Sequence, residues 1–293
     1  MSRFLLRGCA LALTAALLVP TTATAAATQW QRVGSGITEG VSGLAVLSAR
    51  GDRLEALSVV DNKKAGQDRA RRMVFRAGEV TAVRTLTWAG ETPVDLEAVT
   101  RVPGRSDEFV AVASDSRAFH LRVKGDVVSV LAAFDLPGDN TAYNMESFAL
   151  HAAGSRLVAV WADRGAGTRA STLFSAYFSV RDHGFGKVTS VQYRTAGNDE
   201  SVRHASDIAI TGQGSLLISS AVDPGDDGPF TSSLREAGRL VPRQDTVSVE
   251  LSKTPRLLGT FDGHKIEAVT LTGGRDVLLG TDDENDGGWV ALD

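Results

Sequence analysis

The hydrophobic positions of this 293-residue chain fall into short runs, each bounded by Gly, Asp, Ser or Asn. Apolar or alternating runs of this kind are typical of β-strands. No long segment after residue 27 has helical periodicity, so the sequence predicts an all-β fold. The clearest predicted strands include residues 54–60, 109–113, 157–161, 216–220 and 277–279.

Five runs share one pattern, in which a serine or glutamate is followed by small and apolar residues. They are SGLAV at 42–46, EAVTR at 97–101, ESFAL at 146–150, SDIAI at 206–210 and EAVTL at 267–271. Their first residues are 55, 49, 60 and 61 positions apart. Recurrence at such a period indicates a repeat architecture, and here it indicates five structural units.

The second unit shows how each repeat is built. Its pattern predicts strands at 96–102, 108–114, 118–123 and 127–134, joined by tight polar turns as in an antiparallel meander. Five units of four antiparallel strands predict a five-bladed β-propeller. A β-sandwich is the all-strand alternative, but it does not account for an in-phase repeat.

The last unit supplies only three strands, predicted at 266–271, 277–280 and 288–292. The strand-like segment at 28–33 precedes the first repeat and is otherwise unassigned. We therefore expect this N-terminal strand to complete the last blade and close the ring. The propeller would then occupy residues 28–293.

The first 27 residues form a separate segment. Arg3 and Arg7 precede an apolar run at 11–19, and small residues follow at 23–27. This pattern is typical of a secretory signal peptide, and the apolar run is too short to span a bilayer. We expect a secreted (extracellular) protein with no membrane association after signal cleavage. Cys9 is the only cysteine and lies in this leader, so the mature chain would contain no disulfide.

The charge balance narrows the possible partners. The net charge of −4 becomes −6 without the two arginines of the leader. Nucleic-acid binding requires a basic surface, so we expect no nucleic-acid partner. We expect the mature protein to be a monomer.

The first residue of each repeat should lie at one mouth of the central channel, because the innermost strand of a blade begins there. These predicted metal ligands are Ser42, Glu97, Glu146, Ser206 and Glu267. Carboxylates close to one axis repel each other, and burial raises their pKa values, unless a cation neutralises them. Oxygen ligands in fivefold symmetry favour Ca²⁺ over Mg²⁺. The alternative is that these residues cap strand ends in a water-filled channel.

Other polar residues are predicted at the same mouth. Side chains alternate along a strand, so residues two positions before the ring should also point inward. An aspartate follows the second strand of every unit and should lie on the same face. The predicted ligand-binding residues are Asp61, Asp95, Asp115, Asn144, Asp163, His204, Asp223, Lys265 and Asp282. We expect a small-molecule or surface ligand at this propeller mouth.

Some residues admit two interpretations. The acidic segment 282–287 joins two strands and is either a solvated turn or a second calcium site. His204 and His264 each precede a ring position and are either general bases or ordinary polar channel residues. Arg117, Arg164 and Arg203 either add positive charge to the acidic face or are solvated.

The order Ser, Glu, Glu, Ser, Glu at the five ring positions resembles the calcium-activated nucleotidases of the apyrase family. This resemblance implies a five-bladed propeller with a central calcium bound by the five ring residues. The segments VSGLA at 41–45, DLEAV at 95–99, KIEAV at 265–269 and GTDDENDG at 280–287 also resemble secreted propellers of the esterase-like phytase group. The nucleotidases carry an arginine in the turn after the first blade's second strand, whereas this turn is DNKK at 61–64.

Two classes of function follow. The family resemblance favours a calcium-dependent hydrolase of phosphate esters or anhydrides, acting through metal-assisted attack by water. The lack of a recognisable nucleophile or base motif favours a non-catalytic propeller that binds a glycan, peptide or cell-surface partner, with structural calcium. The sequence assigns no catalytic residue.

Overall fold

The computed structural model describes residues 28–138, 143–196, 200–273 and 276–293. They form five small antiparallel sheets in a ring, which is the predicted five-bladed β-propeller. The leader predicted at 1–27 lies outside the described residues. Within the described ranges, the only helix is the 3₁₀ turn Glu284–Asp286, and no helix is long and apolar enough to cross a membrane.

Each blade is a meander that runs outward from the central channel. Blade 1 contains Gly43–Arg50, Arg53–Val59, Ala70–Arg76 and Glu79–Thr85. Blade 2 contains Leu96–Arg101, Glu108–Ala113, Arg117–Lys124 and Val127–Asp135, and Thr87–Ala89 joins its outer edge in parallel. Blade 3 contains Met145–Ala153, Arg156–Asp163, Ser171–Ser179 and Thr189–Tyr193, and Gly184–Phe185 also pairs with its third strand. Blade 4 contains Val202–Ile210, Ser215–Val222, Thr231–Pro242 and Val247–Asp262.

Blade 5 combines strands that are far apart in sequence. It contains Ile266–Leu271, Val277–Thr281, Trp289–Leu292 and Gln31–Arg32, and the last two pair antiparallel. The N-terminal strand therefore closes the ring as predicted, although it is only two residues long. The side chain of Gln31 also links this strand to blade 1. Its Nε2 donates to the carbonyl of Gly78 at 2.8 Å, and its Oε1 accepts the N–H of Val80 at 2.6 Å.

The hydrophobic core lies between the blades. Five apolar clusters occur, one at each interface between neighbouring blades. Leu57 of blade 1 and Phe109 of blade 2 belong to one cluster, and Val110 of blade 2 and Trp161 of blade 3 belong to the next. Each blade thus buries its two faces against two neighbours, so the ring has to close for every face to be covered.

Three of the inner strands share an irregularity at the ring position. Pairing skips Glu97 between Leu96 and Ala98, and it skips Glu146 and Glu267 in the same way. In blade 4 the register breaks over a longer stretch that includes Ser206. A β-bulge bends a strand and re-aims the side chain of the extra residue. At Glu97, Glu146 and Glu267 the repeated motif therefore marks the point where the inner strand turns a carboxylate toward the channel mouth. Ser42 instead precedes its strand, Gly43–Arg50.

Candidate functional site

One mouth of the central channel opens into a polar cavity of about 460 Å³ that receives side chains from all five blades. Among the described residues, eight carboxylates line it: Asp61, Glu97, Glu146, Asp223, Asp226, Glu267, Asp282 and Glu284. Four cationic side chains line it too: Lys63, Arg164, Arg203 and Lys265. Acidic groups thus outnumber cationic ones, and the cavity would carry a net negative charge with all of its carboxyl groups ionised.

The cavity brings together many of the residues selected from the sequence. The ring glutamates Glu97, Glu146 and Glu267 line it, together with Asp61, Asn144, Asp223, Lys265 and Asp282. Asp95 lies beside them, because its carboxylate is within 4.8 Å of ligand atoms of both Asp61 and Glu97. Ser114 donates a hydrogen bond to Oδ2 of Asp95.

The two ring serines are buried and do not line the cavity. Ser42 Oγ accepts the backbone N–H of Asp61 at 3.2 Å, so this hydroxyl positions the turn after the second strand of blade 1. Ser206 Oγ is buried and has no hydrogen-bond partner among the described residues. A buried hydroxyl without a partner is costly, and it is therefore a candidate ligand for a missing group.

Three predicted ligand-binding residues lie outside the cavity. Asp115 is exposed and accepts the backbone N–H of Arg117 at 3.0 Å. Asp163 is fully buried, where it accepts the N–H of Thr172 at 2.6 Å and forms an ion pair with Arg169. His204 is also fully buried, with its Nε2 2.8 Å from the carbonyl of Gly167. Asp163 and His204 stabilise the blades.

His264 does not face the cavity either. Its Nδ1 lies 2.6 Å from Oδ2 of the buried Asp283, and its ring packs 4.2 Å from that of Trp30. Hence no histidine lines the cavity within the part of the chain that the structure describes.

The acidic segment 282–287 forms a turn whose carboxylates have protein partners. Asp282 and Glu284 face the cavity, while Asp283 is buried against His264. Asp286 accepts a hydrogen bond from Trp289 Nε1 at 3.0 Å and pairs with Arg32 at 2.5 Å. Glu284 had been considered only as part of this turn. Asp226 and Lys63 were not selected from the sequence, because neither belongs to the repeated pattern.

Lys265 provides an internal counter-ion on the blade 5 side. Its buried Nζ lies 3.1 Å from Glu267 Oε1, is bonded to Glu284, and lies 3.8 Å from Asp223 and 3.9 Å from Asp282. Burial opposes the charge, but the surrounding carboxylates outweigh it and raise the pKa of Lys265. The lysine therefore stays protonated and neutralises part of the acidic cluster.

The Glu97 side of the cavity lacks a comparable cation. Glu97 is 8% exposed and forms no ion pair within the described residues. Burial, together with the nearby Glu146 and Asp61, raises the pKa of Glu97 well above its ordinary value. Lys63 is exposed and pairs with Asp95 Oδ1 at 3.0 Å. Glu97 is thus a buried acidic group without a buried counter-charge.

The other inner carboxyl groups also have raised pKa values. Burial, reinforced by Glu267, raises the pKa of Glu146 to about 8. Burial raises the pKa of Glu267 to about 7, although Lys265 opposes this rise. Burial and Glu267 raise the pKa of Asp282 as well. A divalent cation at this mouth would favour the ionised forms of these groups.

The metal-free protein should lose stability as the pH rises from about 4.5 to about 8. In this window the folded state retains protons on Glu146 and its neighbours that the unfolded chain has released, so the free energy of unfolding falls as pH rises. Urea titrations in chelator at several pH values would measure the free energy of unfolding. Glu146→Gln should flatten the pH dependence, and a wild-type protein that gains stability across this window would contradict the prediction.

The donor set suits a hard cation. All available ligands are oxygen atoms, as Ca²⁺ prefers. Glu97 lacks a cation and Ser206 Oγ lacks a partner among the described residues, so both fit a bound ion. Glu267 differs from them because Lys265 already neutralises it. Glu97 therefore fits an ion best, and the ligand atoms of Asp61 and Asp95 lie within 4.8 Å of its own. Ser206 and Glu146 are neighbouring ring residues, of which Glu146 already pairs with Arg164 at 3.4 Å.

The opposite part of the channel is different in character. A cavity of about 400 Å³ there is lined largely by apolar inner-strand residues such as Val46, Leu150 and Ile210. Asp207 also borders it, but its two oxygens accept the backbone N–H groups of Ile208 and Val269, each at 2.7 Å. This aspartate therefore links the inner strands of blades 4 and 5.

Comparisons with known proteins identify the fold class. No family model matches the sequence, and no curated protein matches it. The structure is similar to the α-L-arabinofuranosidase PaAbf62A from Podospora anserina in complex with cellotriose, with a TM-score of 0.50 and 11% identity over 91% of this chain and 97% of that chain. It also matches the β-propeller domain of Myceliophteria thermophila Cps50 (Swd1), with a TM-score of 0.40 and 9% identity over 86% of this chain and 82% of that chain. The first similarity supports the fold alone, and the five sheets of the structure define the chain as a five-bladed β-propeller.

Proposed function

We propose that this protein is a secreted, calcium-binding propeller that hydrolyses phosphate esters or anhydrides at its acidic mouth. The observation that supports this most directly is the charge imbalance of the cavity, with eight carboxylates and four cations among the described residues. Glu97 is buried there without an ion-pair partner in the described ranges. Ionised Glu97 would be an unpaired buried charge, which is costly, and a bound divalent cation would remove that cost.

The residues of the mouth divide into two roles. Glu97, Glu146 and Ser206, with Asp61 and Asp95 nearby, would hold the ion. An ion held there would supply a Lewis acid for a phosphoryl oxygen and for the attacking water. The cationic side chains of the cavity would bind phosphate oxygens and orient the substrate. Because no histidine lines the described part of the cavity, a carboxylate would accept the proton of the attacking water.

The lack of a histidine in the described part of the cavity also favours a second candidate function. A non-catalytic propeller would use the cavity to bind a glycan, peptide or cell-surface partner, and calcium would only stabilise the ring. Both candidate functions use the metal site, but only the hydrolase turns over a substrate. Calcium binding and hydrolysis are therefore measured separately.

Calcium should raise the melting temperature of the mature protein. An ion that binds only the folded ring adds about 2.7 kcal/mol at a hundredfold excess over its dissociation constant, which corresponds to about 5–10 °C. Calorimetry in calcium and in chelator measures the shift. Glu97→Gln should abolish it, and Glu250→Gln, at an exposed position in blade 4, should not. If the wild type melts at the same temperature in calcium and in chelator, the mouth binds no calcium and the alternative of a water-filled channel holds.

A hydrolysis screen tests the reaction. The mature protein should release phosphate from a nucleotide, phytate or an aryl phosphate in calcium and lose this activity in chelator. Carboxylic esters of p-nitrophenol serve as controls for esterase activity. A calcium-dependent melt without hydrolysis of any phosphate compound would instead support the binding propeller.

A further inference from the structure

Two arginines lie side by side on the blade 3 and blade 4 side of the cavity. Arg164 follows the second strand of blade 3, and Arg203 belongs to the inner strand of blade 4. The carbonyl of Arg164 accepts the N–H of His204 at 2.8 Å and that of Ala205 at 3.2 Å. These bonds hold the two arginines on adjacent backbone segments, and both side chains line the cavity.

Each guanidinium group uses few of its donors on the protein. Arg164 Nη1 lies 3.4 Å from Glu146 Oε1, and Arg203 Nη2 lies 3.4 Å from Asp223 Oδ2, so each contact is single and long. Arg203 Nε is buried without a hydrogen-bond partner among the described residues. A guanidinium group carries five N–H donors and prefers paired contacts with an oxyanion. Most donors of both arginines therefore remain available to a ligand.

The two arginines lie on a different side of the cavity from the acidic groups that lack a buried cation. Arg164 follows the second strand of blade 3, and Arg203 lies in blade 4. Glu97 belongs to blade 2, and Asp61 follows the second strand of blade 1. The acidic groups without a buried cation therefore belong to different blades from the two arginines.

We propose that Arg164 and Arg203 form an anion clamp that binds a phosphoryl group of the ligand. This proposal rests on the proposed function and specifies which residues bind the phosphate. A tetrahedral phosphate presents enough oxygens to engage both guanidinium groups, which a single carboxylate does less well. The alternative is that each arginine only neutralises its own carboxylate, Glu146 or Asp223.

The clamp should be coupled to the metal site. The excess carboxylates of the cavity repel an anion, and a bound divalent cation would offset that repulsion. Calcium should therefore strengthen phosphate binding. Coupling between binding sites is reciprocal, so phosphate should strengthen calcium binding by the same factor.

Calorimetric titration of the mature protein with inorganic phosphate tests the clamp, at calcium concentrations that do not precipitate phosphate. Replacing both arginines (Arg164→Gln with Arg203→Gln) should weaken phosphate binding about 10- to 100-fold, as expected for lost charged hydrogen bonds. Arg117→Gln is the matched control, since Arg117 is exposed and pairs with Asp135 at 3.1 Å. The control should bind phosphate like the wild type. If the double glutamine variant does not fold, Arg164→Lys with Arg203→Lys keeps the charge and should still weaken binding.

The outcomes separate the clamp from the proposed function. Wild-type phosphate affinity in both double variants, or no phosphate binding by the wild type with or without calcium, would overturn the clamp. Loss of phosphate binding in the variants supports the clamp. This holds even if the protein hydrolyses no phosphate compound, in which case only the proposed reaction fails. A calcium-dependent melt retained by the variants shows that their fold and metal site are intact.

Discussion

Deleting residues 28–34 should lower the melting temperature sharply, because this segment closes the propeller. Gln31–Arg32 forms the outer strand of blade 5, and Val33 donates to the carbonyl of Gly288 at 2.9 Å. Trp30 packs against Phe261 at the edge of blade 4, with ring centroids 5.9 Å apart. Loss of a fully buried tryptophan costs about 3–5 kcal/mol, and although Trp30 is only half-buried, the lost strand pairing adds to its contribution. We therefore expect a fall of about 6–20 °C.

Calorimetry of the deletion variant beside the wild type measures this effect. Gln31→Ala is a milder companion variant that removes only the two hydrogen bonds to blade 1. It should cost about 1–3 kcal/mol. Thr28→Ala serves as a control, because Thr28 makes one long, exposed contact with Asp293. A deletion variant that melts at the wild-type temperature would show that closure does not stabilise the ring.

The fold was predictable because the repeat and the strand pattern indicate the same architecture. The strands predicted for blade 2 at 96–102 and 108–114 are observed as Leu96–Arg101 and Glu108–Ala113. The motif places Glu97, Glu146 and Glu267 at one mouth of the channel, and all three line the cavity there. The length of the closing strand was not predictable, because it depends on contacts with blades that are distant in sequence.

The rest of the site depends on features that no local pattern contains. Strand alternation predicts His204 at the mouth, but the register of blade 4 is broken between Arg203 and Asp207. Alternation does not persist through such a break, and His204 is buried instead. Asp163 was placed at the mouth by its position after a strand, yet the loop that follows brings Arg169 onto it. The course of that loop cannot be deduced from the repeat.

Lys265→Met should strongly destabilise the metal-free protein at pH 8. The ammonium group is the buried counter-ion of Glu267, Glu284, Asp223 and Asp282, and methionine keeps most of the side-chain volume. Removing one partner of a buried charge cluster costs about 3–5 kcal/mol, because the remaining charges are left uncompensated. The melting temperature in chelator should fall by about 6–20 °C. Lys124→Met, at an exposed position in blade 2, is the matched control.

The pH dependence of this loss of stability distinguishes the contribution of the Lys265 charge from that of its packing. Without Lys265, the pKa of Glu267 and Asp282 should rise further, because the lysine favours their ionised forms. At pH 5 these carboxyl groups can accept protons, so the variant should recover much of the lost stability relative to the wild type. Calcium at pH 8 should also restore part of it, since a bound cation can replace the missing positive charge. A loss of equal size at pH 5 and pH 8, unaffected by calcium, would show that Lys265 contributes packing and not charge.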